Sequence, residues 1–217
     1  MQKKFLKSNY TEKIIDFFNK GRLSTSVIAD CCSKTKFKIL TFDKQFRYKK
    51  YIAGSVSFIY THENSNWILH KTIKNKNYKN KVVFVYPFNC KKVGLIGGLI
   101  CTSLKMKNVK CIIVNGYIRD VDEIKKLKIN ILSKGFSPEN VSKEKPSSLL
   151  SKSKLNKVKN EYENNIIFID DNGCLLIKKK LIDENFYKKI VLKMDMEKRW
   201  FKKLNEGKET FDITCKK

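Results

Sequence analysis

The sequence predicts an α/β fold built as one compact domain. Three observations carry this: a length of 217 residues, enough for one well-buried core; an alternation of short apolar runs with helix patterns over 82–124; and an Asn172-Gly173 turn between two apolar runs. Alternating strands and helices are the pattern that places helices against a sheet.

Taken in order, Ile14, Ile15, Phe17 and Phe18 give residues 10–19 an amphipathic helix pattern after a cap at Asn9 or Thr11. A second short helix is expected over 24–32. The β-branched and aromatic stretch Ala53–Tyr60 reads as a strand. NWILHKTI (66–73) has helical spacing, and VVFVY (82–86) is a continuous apolar run of strand length. After a loop, Gly94, Gly97 and Gly98 lead into a helix ending near Lys107. CIIV (111–114) is another buried strand, ending at a turn on Asn115-Gly116. The acidic run after Asp120 suits the first turn of a helix. From Ser137 to Glu163 the chain turns polar and rich in Ser and Lys, which reads as a mobile segment or insertion, centred on 139–165. IIFID, the turn and CLLI predict a hairpin. A helical extension over 181–210 follows, with Phe186, Ile190, Leu192, Met196, Trp200 and Leu204 as its apolar stripe and Gly207 beyond it.

Composition limits the function classes. The formal net charge of +26 invites a nucleic-acid reading. Of the 47 basic residues, however, only Arg22, Arg47, Arg119 and Arg199 are arginine, the side chain that specific phosphate and base recognition favours. The lysines are spread along the whole chain, as compositional drift would spread them. No specific nucleic-acid partner is expected, only non-specific attraction. The seven cysteines include no C-x-x-C and no paired Cys/His spacing, so neither a zinc site nor a disulfide framework is predicted. With no apolar leader and no run long enough to span a bilayer, a cytoplasmic protein without a membrane partner is expected.

Two places are candidates for chemistry. The Gly94/Gly97/Gly98 cluster opens a helix, where unpaired N–H groups and the helix dipole favour an anion such as a carboxylate; simple turn glycines would look the same. Arg119-Asp120 follows a buried strand at the edge where α/β folds bind ligands. In a chain that uses Lys almost everywhere, an Arg there suits two-pronged grip on a carboxylate. The adjacent Asp suits a hard cation, which takes one or two protein carboxylates and fills its other positions with water and substrate oxygen. The same pair would also serve as a helix-start Asp beside a surface Arg. Asp122 and Glu123 favour the same helix start, and the imidazoles His62 and His70 are candidates for a base, His70 being read as a packing or structural residue.

The run VNGYIRDVDEI (114–124) resembles the corresponding segment of RraA-like proteins, the family of the regulator of ribonuclease activity A and the 4-hydroxy-4-methyl-2-oxoglutarate aldolases. LSTSVIADC, GSVSFIY, NWILHKTI, GLIGGLI, KINILSKGFSP, FIDDNGCLLI and EKRWFKKLNEGKE match in the same order, over most of 10–210. Residues 139–165 depart from the pattern. The resemblance implies an RraA-like swivelling β/β/α domain over 1–217, assembling as a homotrimer or dimer of trimers with sites between subunits. It implies that Arg119 grips the carboxylate of a small 2-oxo acid and that Asp120 holds Mg²⁺ or Mn²⁺. The amides of Gly97, Gly98, Leu99 and Ile100 would bind the pyruvate-like end, and Glu197 would reach the neighbouring subunit's site. Family aldolases tend to carry Asp where this chain has Gly98, so oxaloacetate decarboxylation is favoured over aldol cleavage, both passing through a pyruvate enolate. The alternative is a non-catalytic regulator that binds a ribonuclease; the regulator tends to lack the Asp that Asp120 supplies here.

Overall fold

The structure is a computed structural model that describes residues 2–33, 36–148 and 150–215. Among these residues nine strands form one sheet: β1 (Phe37–Leu40), β2 (Lys44–Phe46), β3 (Ile52–His62), β4 (Val82–Phe88), β5 (Gly94–Ile96), β6 (Cys111–Ile118), β7 (Ile131–Phe136), β8 (Ile166–Asp170) and β9 (Gly173–Ile177). The order is β1-β9-β8-β3-β4-β6-β7-β2, with β5 added beside β6.

Strand β3 joins two halves. Its first residues, Ile52–Ser55, pair antiparallel with β8, and Val56–His62 pair parallel with β4. The two end strands of the order, β1 and β2, are separated by residues 41–43 alone. A link that short brings both ends of the sheet together, so the sheet curls on itself. Alternating side chains then face inside and outside, as the pleat requires. Val82 and Phe84 of β4 point into the interior with Phe58, Ile113, Ile167 and Ile169, whereas Val83 and Val85 face an outer layer.

That outer layer is made by α3 (Trp67–Lys74), α4 (Gly98–Met106) and α5 (Val121–Lys126), which supply Leu69, Ile73, Ile100, Leu104 and Ile124. On the antiparallel half, α1 (Gln2–Asn19), α2 (Thr25–Cys31) and α7 (Glu184–Asn205) bury Ile14, Phe18, Ile28, Phe186 and Ile190 against Ala53, Phe168, Leu175 and Ile177. Buried Asp170 ties α2 to the sheet: its carboxylate accepts the Thr25 N–H (2.8 Å), the Thr25 hydroxyl (2.7 Å) and the Asn172 N–H (2.9 Å).

Several expectations change. Helix α1 starts at Gln2, not at a cap near residue 10, and Thr11 lies buried inside it; no Gly or Pro interrupts residues 2–10, so nothing stops the helix earlier. Asn115-Gly116 is not a turn. Strand β6 runs on to Ile118 through an irregularity between Val114 and Tyr117, where a Cβ on Gly116 would meet Leu95 at 2.7 Å. In the β8–β9 turn only Gly173 has positive φ, at 146°, and Asn172 does not. The polar stretch after Ser137 carries a helix, α6 (Lys152–Tyr162), capped by the Ser151 hydroxyl. Its Tyr162 closes the interior of the curled sheet, its ring 4.2 Å from that of Phe84 and nearly parallel to it. The C-terminal extension is one long helix, α7, with Asp183 as N-cap, followed by α8 (Thr210–Thr214). Leu192, placed in the apolar stripe, is 64% exposed. No helix among the described residues is long and apolar enough to cross a membrane.

Candidate active site

Strands β5 and β6 run parallel and side by side, so the turns after them meet at one edge of the sheet. After β5, Gly97 is the N-cap of α4. After β6 come Arg119 and then Asp120, the N-cap of α5. The start of α4 and the start of α5 therefore face one another, and the Arg119 N–H donates to Ile96 O (2.9 Å) across the seam.

Asp120 decides the local geometry. Its backbone is left-handed (φ 56°, ψ 46°), a conformation Asp tolerates better than most residues. Its side chain does not cap its own helix. Instead Oδ2 accepts the Gly98 N–H of α4 at 3.0 Å, with Arg119 Nε 3.7 Å away. The glycines make this approach possible: a Cβ on Gly97 would fall 2.2 Å from Asp120 Oδ2, and one on Gly94 would fall 2.8 Å from Arg119 Cβ. A Cβ on Gly98 would lie 3.2 Å from Glu123 Cβ. Both Arg119 and Asp120 remain partly open to solvent.

The expected site residues thus separate into two groups. Gly97, Gly98, Leu99, Ile100, Arg119 and Asp120 come together at this edge. Leu99 presents its side chain outward at 77% exposure and Ile100 is buried, so what they can offer a ligand is backbone N–H at the open end of α4. Glu197 lies elsewhere in the chain, on α7, 3.6 Å from Lys193, which itself pairs with Asp30 of α2 at 2.8 Å. Cys101, one helical turn from Gly97, is fully buried; burial, aided by the charge of Asp120, pushes its thiol up to about 12, so it stays protonated and inert.

His70 does not take the packing role expected of it. His62 is the buried one, held by Phe88 O and the Ser148 hydroxyl at 3.2 Å each. His70 faces solvent. Asn66, at the start of the NWILHKTI helix, is buried against β5, its Nδ2 3.5 Å from Leu95 O and its Oδ1 without a hydrogen-bond partner among the described residues. A lone Asn before an apolar helix carries no signal of that burial.

A family model described as RraA-like, Aldolase/RraA, matches residues 25–176. The chain belongs to the RraA-like family. The matched residues run from β1 through all but the last residue of β9 and include the whole Arg119–Asp120 edge; α7 lies beyond them. An uncharacterized protein of Methanocaldococcus jannaschii is 29% identical over 141 residues, 63% of this chain. The chain spans 65% of the length of that curated relative. Among solved structures, the RNA-processing inhibitor RraA from Thermus thermophilis superimposes with a TM-score of 0.57 at 22% identity, over 71% of this chain and 92% of that one. RraAS2 of Streptomyces coelicolor, described as an unusual member of the RNase ES inhibitor RraA family, gives 0.62 at 15%, over 89% and 96%. An uncharacterized protein from Pseudomonas syringae gives 0.68 at 12%, over 93% and 92%. These neighbours establish the RraA-like mixed α/β fold, with its curled sheet and C-terminal helix. The family holds both aldolase or decarboxylase enzymes and non-catalytic ribonuclease inhibitors.

Proposed function

We propose that this chain is a divalent-metal-dependent carbon–carbon lyase for 2-oxo acids, of the oxaloacetate decarboxylase or 4-hydroxy-4-methyl-2-oxoglutarate aldolase type. One observation carries the reading: the Asp120 carboxylate turns away from the helix it begins and lies over the start of α4 beside Arg119. A carboxylate serving only α5 would bond to its own helix.

The residues present fit a lightly held cation. No cluster of three or more His, Cys, Asp or Glu suited to a metal exists among the described residues. Mg²⁺ or Mn²⁺ does not need one, because such ions keep most of their water and take one or two carboxylates. Asp120 would hold the ion, and the ion would supply Lewis acidity next to the 2-oxo group.

Arg119 then grips the carboxylate beside the 2-oxo group with its planar fork. The Leu99 and Ile100 amides, which lack intrahelical acceptors by their position, meet the oxygens of the pyruvate end. The Gly98 amide is already engaged by Asp120, so it orients the carboxylate and is not free to bind substrate. As the carbon–carbon bond of oxaloacetate breaks, its electrons move into the enolate, CO₂ leaves, and a proton from water completes pyruvate. Decarboxylation is favoured because it needs no base, whereas aldol cleavage must remove a hydroxyl proton. Gly98 offers no carboxylate, and Glu123 crowds the space where one would stand. In this reading Glu197 serves the site of a neighbouring copy.

The test is pyruvate release from oxaloacetate by the purified protein, measured with Mg²⁺, with EDTA, and against a Mg²⁺-only blank. A rate above the blank that EDTA abolishes is expected. A rate equal to the blank overturns the reading in favour of the ribonuclease-binding regulator.

A further inference from the structure

A sizeable cavity lies away from Arg119 and Asp120. It encloses about 550 Å³ and is lined by residues that precede the parallel strands, among them Asn80 before β4, Lys110 before β6 and Asn130 before β7. Arg119 and Asp120 follow β6, so the two places are separated by the length of that strand, on the order of 25 Å for eight residues.

The lining includes Lys49, Lys105, Lys110 and Lys128, and no acidic residue. None of the four forms a salt bridge among the described residues. Lys105 in the last turn of α4 and Lys128 just beyond α5 offset helix-end carbonyls. Lys49 and Lys110 have no such explanation. The Lys110 ammonium is half-buried and donates to a neutral acceptor, Ala53 O, at 2.9 Å. Burial lowers its pKa and the charge of Lys49 lowers it further; the opposing Asp16 is itself paired with Lys20 at 2.7 Å. A cation withdrawn from water without a counter-charge is destabilised, and a bound anion would correct that.

The walls are already built. Asn19 of α1 brackets Ala53, accepting its N–H at 2.7 Å and donating to its carbonyl at 3.3 Å. Asn130 accepts the Tyr48 and Lys49 N–H groups (2.9 and 3.1 Å) and donates to Lys110 O (2.9 Å). These bonds fix the lysine backbones around the opening. The volume falls within the range of small-molecule sites and is too confined for a nucleic-acid duplex.

We propose that this cavity is a second binding site, for a small phosphorylated molecule whose phosphates meet Lys49 and Lys110. Phosphate oxygens take multiple N–H donors, and the lining offers ammonium and asparagine groups with no carboxylate to repel them.

Calorimetric titration with inorganic pyrophosphate, in metal-free buffer, tests this. The expected result is saturable binding of one pyrophosphate per chain, weakened at least tenfold in Lys110→Met and unchanged in Arg119→Lys and Lys134→Gln. Lys110→Met keeps the aliphatic stem; should it fail to fold, the exposed pair Lys49→Gln and Lys105→Gln carries the same expectation. Binding that never saturates, or that weakens equally in Lys134→Gln, marks general attraction to a basic surface and overturns the site. So does undiminished binding in the folded cavity variants. A uridine homopolymer that binds more tightly and resists pyrophosphate would assign this face to RNA, which also overturns the proposal.

Discussion

In the proposed reading the Asp120 carboxylate has two tasks, accepting the Gly98 N–H and holding a cation, which substitution can separate. Asn keeps an oxygen able to accept the Gly98 N–H, so Asp120→Asn preserves the 3.0 Å contact while removing the charge. The expected outcome is a folded protein whose turnover drops roughly a hundredfold, about 3 kcal/mol, and recovers only at high Mg²⁺. Arg119→Lys keeps the charge and loses the two-pronged contact, so KM for oxaloacetate should rise and turnover fall while Mg²⁺ binding is retained. Steady-state kinetics combined with metal titration distinguishes the two; full activity of Asp120→Asn without added metal would overturn the mechanism. Both residues were legible in the sequence, because an arginine is conspicuous among lysines and the surrounding motif is distinctive. The left-handed turn of Asp120 toward α4 was not legible. It depends on β5 lying beside β6 and on Gly97 leaving room, and neither is a local property.

At the scale of elements, long apolar runs were readable and short edge strands were not. β4, the start of β6 and the β8–β9 hairpin announce themselves by continuous β-branched residues and a turn glycine. FKIL of β1 and KQF of β2 carry no such run, since each is held by a partner far away in sequence. α6 was hidden by its composition: its exposed face is lysine-rich, and a single residue, Tyr162, makes its deepest contact. Tyr162→Ala should therefore lower unfolding free energy by roughly 3–5 kcal/mol in denaturant titration. The segment before α6 is pinned at Glu63, whose carboxylate accepts the Ser148 hydroxyl, the Ser148 N–H (3.1 Å) and the Ser147 hydroxyl (2.9 Å). These bonds, the Ser148 hydroxyl foremost, hold its carboxyl down at about 2. Because the folded value lies below the unfolded value of roughly 4.3, the stabilisation is fully present above that value. It is lost as pH falls from there through about 2. Hydrogen-exchange protection at Ser148 should fall across this window, and Glu63→Gln should remove the pH dependence.

At the scale of the molecule, charge and exposed apolar surface pull in opposite directions. A net +26 makes copies of the chain repel one another, yet the far half of α7 and α8 leaves Phe201 and Phe211 exposed at 66% and 68%, near half-buried Trp200 and Leu204. Helix α7 has 22 residues, about 33 Å at the usual rise, and only its first turns, through Phe186 and Ile190, bury side chains in the core. Beyond them only Met194 reaches the core's edge and α8 packs alongside, which still leaves Phe201 and Phe211 as exposed apolar surface, the condition that favours assembly. Glu197 lies on this part of α7, where a neighbouring copy could bring it to an Arg119–Asp120 edge. With the assembly that the RraA-like resemblance implies, the chain is expected to form trimers, singly or as a dimer of trimers, and added salt should strengthen them by screening the repulsion between cations. Light scattering at micromolar concentration should give about three or six times 25.5 kDa, with the larger species gaining as salt is raised from 50 to 300 mM. Phe201→Ser should shift the protein toward single chains and, if Glu197 acts across the interface, reduce lyase activity in proportion. A mass of one chain throughout that range, with activity retained, would place the whole site within one subunit and remove Glu197 from it.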